Sequence, residues 1–190
     1  MIYCLLGQAG AGKDAVMKEL IKKGYKRIVS HTTRPMRPGE KEGVNYYFHK
    51  STNEAKNEFN LKTYHSALGD WCYWFEWDDI KKAAESDDVF LTIADVTGSR
   101  KLEELGAKLI YVYAPTHIRM ERYYDRESKS DNPNYKEVLR RLIQDSKDFD
   151  TFDHEARELY KYKTIYNTSS LNAAIIEADI YISEEDSRNG

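Results

Sequence analysis

The stretch MIYCLLGQAGAGKDAVMKELIKK, residues 1–23, decides the fold. Ile2 to Leu6 are apolar or aromatic, a run too short for a helix and the right length for a buried strand. Gly7, Gly10 and Gly12 follow, with the small Ala9 and Ala11 among them. Such a backbone can turn sharply and bring its N–H groups close to an anion. Lys13 comes next, and Val16, Leu20 and Ile21 recur at helical spacing. The loop therefore feeds into a helix N-terminus, whose unpaired N–H groups and partial positive charge favour phosphate.

Gly7, four residues, Gly12 and Lys13 spell a P-loop. Gly7, Ala9, Gly10, Ala11, Gly12 and Lys13 are thus candidates for holding the phosphates of ATP. Asp14 stands where Ser or Thr is usual. Its carboxylate is either a hard oxygen ligand for Mg²⁺, direct or through water, or simply a favourable acid in the first helical turn.

With 190 residues the chain has room for one sizeable core, as one domain or one domain carrying a small insertion. Hydrophobic residues at 41% and charged residues at 32% fit a folded globular protein rather than a disordered one. The net charge of -3 and pI near 6.0 give no global attraction to nucleic acid or an anionic membrane, so any anion site must be local. There is neither a charged-then-apolar leader nor an apolar run of membrane-spanning length, and the expectation is a cytoplasmic protein. Cys4 reads as strand core. Cys4 and Cys72 lack CxxC or His spacing, so neither a metal site nor a disulfide is expected.

The second informative stretch is GYKRIVSHTTRPMRPGEKEGVNYYFHK, residues 24–50. Lys26 to Ser30 is a short strand candidate. Thr32, Thr33, Arg34, Arg37, Gly39, Glu40, Gly43 and Tyr46 then crowd together among prolines that exclude a regular helix. Arg34 and Arg37 are fixed on a shaped loop, where forked guanidinium donors can grip phosphate oxygens in pairs.

This stretch resembles the S-x-T-T-R-x-x-R-x-G-E-x-x-G-x-x-Y-x-F signature of guanylate kinases, and it follows the P-loop by about twenty residues, as in that family. The resemblance implies that Ser30, Arg34, Arg37 and Tyr46 hold the phosphate of a nucleoside monophosphate and that Glu40 arranges the pocket. It also implies that residues 50–75 belong to an inserted lobe. There Asn53 to Asn60 reads as a short helix, and Leu61 to Ala67 pairs with Trp71 to Trp77 around a turn at Leu68, Gly69 and Asp70. The family's guanine-reading acid falls at Thr63, and Tyr73 and Trp74 replace a glycine and a hydroxyl residue. Thr63 offers one hydroxyl where guanine's N1–H and N2–H₂ suit a carboxylate. Either a nearby acid such as Asp70 substitutes, or the base preference has changed. Trp71, Trp74 and Trp77 are stacking or lobe-core residues, and His65 is structural or exposed.

DDIKKAAESDD reads as a helix and DVFLTIAD as a buried parallel strand ending at Asp95, where open α/β sheets place their ligands. The resemblance puts Asp95 near base and metal; alternatively it caps the helix beginning near Thr97. Ala107 to Ala114 is a further strand, and a helix begins near Pro115. Arg119, Arg122 and Arg126, the polar break SKSDNPN, and a second helix with Arg140 and Arg141 follow. This is the layout of a kinase lid. Arg122, Arg126 and Arg141 are the preferred catalytic arginines, acting with Lys13, and Arg119 and Arg140 are reserves; the alternative is a pair of helices covered in solvated ion pairs. Lys163 to Tyr166 is the last strand, with a helix from about Ser170 and a frayed tail EEDSRNG. Asn167 lies, by resemblance, near the donor adenine.

The expected architecture is a three-layer α/β fold of the P-loop NTPase type with a mostly parallel central sheet. A single kinase domain is expected, with core 1–30, 81–115 and 149–190, a monophosphate-binding lobe at 31–80 and a lid at 116–148. The expected activity moves the γ-phosphoryl of ATP to GMP or dGMP with Mg²⁺, with no nucleic acid, membrane or obligate protein partner. The alternatives are a kinase of another base and a non-catalytic guanylate-kinase-like binding module.

Overall fold

The computed structural model describes residues 1–37, 39–66, 69–159 and 161–189, and of residues 61, 64, 66 and 189 the backbone alone. Ile2–Leu6 forms strand β1, buried at every position. Ile2, Cys4 and Leu6 enter one apolar layer and Tyr3 and Leu5 the other, the two-sided burial of a central parallel strand. Lys13–Lys22 is α1, and Gly12 before it has φ 94°. A side chain there would be strained and would drive into the Asn167 carboxamide, so the position requires glycine.

The chain continues through β2 (Lys26–Arg27), β3 (His31–Thr32), β4 (Tyr47–Phe48), a 3₁₀ turn at Thr52–Glu54, β5 (Glu58–Ser66), β6 (Gly69–Glu76) and α2 (Trp77–Ala84). Then come β7 (Phe90–Ile93), α3 (Val96–Glu104), β8 (Lys108–Tyr113), α4 (Thr116–Ser128), α5 (Tyr135–Asp148), α6 (Asp150–Arg157), β9 (Lys163–Tyr166) and α7 (Leu171–Asn189). Five strands form a parallel sheet in the order β2-β7-β1-β8-β9. The helices α1 and α7 cover one face through Val16, Met17, Leu20, Ala174, Ala178 and Ile182. On the other face lie α3 and α6, through Leu102, Phe152 and Ala156. The fold is therefore the three-layer P-loop type.

A second sheet, ordered β4-β3-β6-β5, stands beside this core between His31 and Glu76. The expected strand at Lys26 to Ser30 is shorter, because the chain leaves β7 after Ile28 to join the second sheet. The expected helix at Asn53 to Asn60 is only a 3₁₀ turn. Ser51 and Glu54 cap it, and Glu76 then accepts the Lys56 and Asn57 amides, drawing the chain into β5. Gly69 and Asp70 are not turn residues but pair with Ser66 and His65; Leu68 and Ala67 lie outside the described residues. Trp77 opens α2 rather than closing the strand. The tail is not frayed through Asn189: α7 runs to it, with Glu185 paired to Lys108 and Arg188.

Candidate functional site

A cavity of about 550 Å³ opens beyond β1 and β7, between the second sheet and the helices α4 and α5. One wall is the P-loop, contributing Gly7, Ala9, Lys13 and Asp14. Gly10, Ala11 and Gly12 complete the loop behind it. The loop is braced from outside: Arg119, 3% exposed, donates to the carbonyls of Ala9 at 3.3 Å and Ala114 at 3.1 Å. Arg122 donates to the carbonyls of Gly10 at 3.1 Å, Ala11 at 3.3 Å and Asn167 at 2.9 Å. Asn167, 2% exposed, adds a bond from its amide nitrogen to Ala11 O at 2.8 Å. Arg122 and Asn167 thus do not line the cavity. Among the described residues both bond to P-loop carbonyls, and so buttress the loop.

The opposite wall is cationic. Arg34, Arg37, Arg126, Arg140 and Arg141 all line the cavity, together with Ser30, Glu40 and Tyr46. Glu40 builds this wall: it accepts from Arg34 Nη2 at 2.8 Å and from the Arg37 amide at 2.8 Å. Burial opposes its ionisation, but these two donors hold its carboxyl below the ordinary range. Arg34 also donates to the Tyr73 hydroxyl at 3.2 Å and lies over the Tyr46 ring at 5.3 Å. Burial pushes Tyr46 up to about 12, keeping its hydroxyl a donor. Burial, and then Arg34 and Arg141 as neighbouring charges, lower the pKa of Arg37, although Glu40 partly offsets them. Arg126 lies 4.4 Å over the Tyr123 ring, and Glu137 ties Arg140 and Arg141 together.

Asp95 lines the cavity just beyond β7, which ends at Ile93 rather than at Asp95 as expected, because Asp95 already caps α3. In that cap its Oδ1 accepts from Gly98 N at 2.7 Å, while Oδ2 is paired with Lys62 at 2.5 Å. Thr63 does not line the cavity; its hydroxyl meets Cys72 Sγ at 3.3 Å on the other face of the hairpin. The reason is a register slip between Phe59 and Lys62. Asp70 is not a substitute either: it pairs with the exposed His65 at 2.8 Å. Of the tryptophans, Trp71 and Trp74 both line the cavity, Trp74 being otherwise buried against His31 and His49 and donating to Glu76, and Trp77 packs on Phe59.

Three cavity residues escape a reading of the sequence. Arg27 is half-buried in the wall with its Nη2 on Asn45 O at 2.9 Å and no partner for its buried Nε among the described residues. Lys62 is hidden by the register slip. Asp145 reaches from α5 and accepts a short hydrogen bond from the Ala9 amide, inside the P-loop. Burial raises its pKa despite that bond and the nearby Lys13 and Arg119 charges. Its position four residues after Arg141 on one helix face is the signal that could have found it.

A phosphate loop facing an arginine basin across one cavity defines a P-loop nucleoside monophosphate kinase. The family model described as guanylate kinase matches residues 1–178. Guanylate kinase of Vibrio vulnificus (strain YJ016) is 32% identical over 176 residues, covering 79% of this chain and 82% of that protein. Guanylate kinase of Aliivibrio fischeri is 30% identical over 186 residues, covering 84% and 86%. In fold the chain is similar to the crystal structure of guanylate kinase from Anaplasma phagocytophilum, at a TM-score of 0.63 and 20% identity over 98% of this chain and 86% of that one. The chain belongs to the guanylate kinase family.

Proposed function

We propose that the protein transfers the γ-phosphoryl of ATP to GMP or dGMP, giving ADP and GDP or dGDP. The observation that carries this reading is the single cavity in which Lys13 and the P-loop face Arg34, Arg37, Tyr46, Arg126 and Arg141. Two anionic substrates must approach each other there, and the cations of both walls hold them in line. Ser30, Arg34, Arg37 and Tyr46 grip the acceptor phosphate, with Glu40 fixing the arginines. Arg126 and Arg141 come from the lid, residues 116–148, and neutralise charge spreading over the transferring group. Positioning and neutralisation are the whole of the protein's task in such a transfer. No side chain is assigned as general base.

The donor set also fits Mg²⁺. Magnesium is commonly held by one or two carboxylates plus substrate phosphates, and when bound it would supply positive charge that neutralises those phosphates. Asp14, exposed at the start of α1 and lining the cavity, is the carboxylate placed to hold it. Asp95, which caps α3 and pairs with Lys62, keeps lone pairs enough to act on the nucleotide, on Mg²⁺-bound water, or on both.

The test is coupled ADP release with ATP, Mg²⁺ and each of GMP, dGMP, AMP, CMP, UMP and dTMP. Turnover confined to GMP and dGMP is expected. Turnover with another base instead would remove the acceptor assignment while leaving the kinase, and none with any acceptor would remove both.

A further inference from the structure

Strand β5 presents its residues to the cavity in an order that its sequence conceals. Phe59 stands opposite Phe75, and unbroken alternation would place Leu61 and Thr63 on that same face. Asn60 interrupts the alternation: its φ is 57°, and the pairing slips so that Lys62 stands opposite Tyr73. One extra residue in a strand re-aims everything beyond it. Lys62 therefore enters the cavity beside Tyr73 and Trp71, and Thr63 turns away.

Inside the cavity Lys62 Nζ lies 2.5 Å from Asp95 Oδ2. An ammonium carries three donors and a carboxylate about four lone-pair sites, so the two groups can bond to each other and to a ligand together. Side by side they form a donor next to an acceptor. With the acceptor phosphate confined to the arginines, the base is left to the region of Lys62, Trp71 and Asp95.

We propose that Lys62 is a specificity-determining residue, donating to the 6-keto oxygen of guanine while Asp95 accepts from N1–H. This inference rests on the reading of the protein as a guanine nucleotide kinase. The 2-amino group then contributes little. Adenine reverses the pattern, with an amino donor at C6 and a bare acceptor at N1, so that in the guanine orientation Lys62 meets a donor and Asp95 an acceptor. Unpaired polar groups in a closed site are what reject a wrong base.

The experiment compares kcat/KM on the wild-type protein for GMP, IMP, AMP and the monophosphate of 2-aminopurine riboside. IMP keeps O6 and N1–H but lacks the 2-amino group, whereas the 2-aminopurine nucleotide keeps the amino group and lacks O6 and N1–H. IMP is expected within about tenfold of GMP, and the 2-aminopurine nucleotide and AMP roughly 10²-fold or more below it. Lys62→Met is expected to raise the KM for GMP roughly 10- to 100-fold, leave the KM for ATP unchanged and narrow the gap between GMP and the 2-aminopurine nucleotide. GMP turnover with IMP as poor as the 2-aminopurine nucleotide, or Lys62→Met with wild-type GMP kinetics, overturns the inference alone. Absence of GMP turnover overturns it together with the proposed activity. The analogue series needs no variant, so a misfolded Lys62→Met would not shield the inference.

Discussion

Asp145 places a carboxylate on a P-loop amide, where a donor phosphate oxygen belongs. An anion supplied by α5 must therefore be displaced when ATP binds. Asp145→Ala is expected to lower the KM for ATP about tenfold, the scale of one charge-assisted hydrogen bond, in steady-state kinetics at saturating GMP. Because burial raises the pKa of Asp145, its charge is lost earlier than usual as pH falls. The wild-type KM for ATP should accordingly approach that of Asp145→Ala toward acid pH and separate from it as pH rises and the carboxylate ionises. At the other wall of the loop, Lys13→Ala should keep the fold, checked by circular dichroism, and lose roughly 10³-fold or more in kcat, the scale of removing a phosphate-neutralising cation. Retention of turnover would sink the assignment of Lys13. At this scale the sequence was informative wherever chemistry and local spacing coincide: Gly12 takes the positive φ of a turn into α1, and Lys13, Arg34, Arg37, Arg126 and Arg141 come to line one cavity. Arg122 and Asn167 could not be resolved in the same way, because whether a guanidinium faces ligand or loop carbonyl depends on the helix orientation that only packing sets.

In α5, Glu137 gathers Arg140 and Arg141, with contacts of 2.7 and 2.8 Å to their Nε atoms. The Arg140 hydrogen bond first, and then Arg141, pull its carboxyl down to about 2 from 4.5. A depressed carboxyl pKa stabilises the folded state above the unfolded value, and that contribution disappears as pH falls through the folded one. The difference in thermal midpoint between wild type and Glu137→Gln should thus be full above about pH 4.5 and shrink toward pH 2. A constant difference across that window would count against the pairing. In β5 the decisive feature is Asn60. Deleting it should leave Leu61 alone opposite Trp74 in plain alternation, with Lys62 still opposite Tyr73, so that GMP turnover and ATP affinity are both kept. Deleting Asn60 and Leu61 together should instead bring Thr63 opposite Tyr73 and withdraw Lys62, with GMP turnover falling while ATP affinity is kept. The same residue explains the error in placing Thr63: the hydrophobic pattern of FNLKTYHS is consistent with either register, and a single residue at positive φ selects one. The 3₁₀ turn in place of a helix has a related cause, since Glu76, twenty residues away, captures the amides that a helix would have needed.

Across the whole molecule, α7 closes the core. Ile182 is fully buried among Tyr3, Leu20 and their neighbours, and Tyr3 and Tyr25 make hydrogen bonds to this helix. Ile182→Ala should cost about 2–5 kcal/mol in chemical denaturation. Alternating strand and helix patterns made the sheet and its layers readable in advance, because the central strands β1 and β8 declare themselves as continuous apolar runs. The order β2-β7-β1-β8-β9 also has a consequence in time. β1 is the first of these strands to leave the ribosome, yet its partners are Phe90–Ile93 and Lys108–Tyr113, and the buttress of its loop is Asn167. At roughly 5–20 residues per second, the loop at the start of the chain waits many seconds for the segments that shape it. Nascent chains arrested before Asn167 emerges should fail to retain ATP, so that nucleotide capture waits for the last strand of the sheet even though the sequence motif for it follows the first.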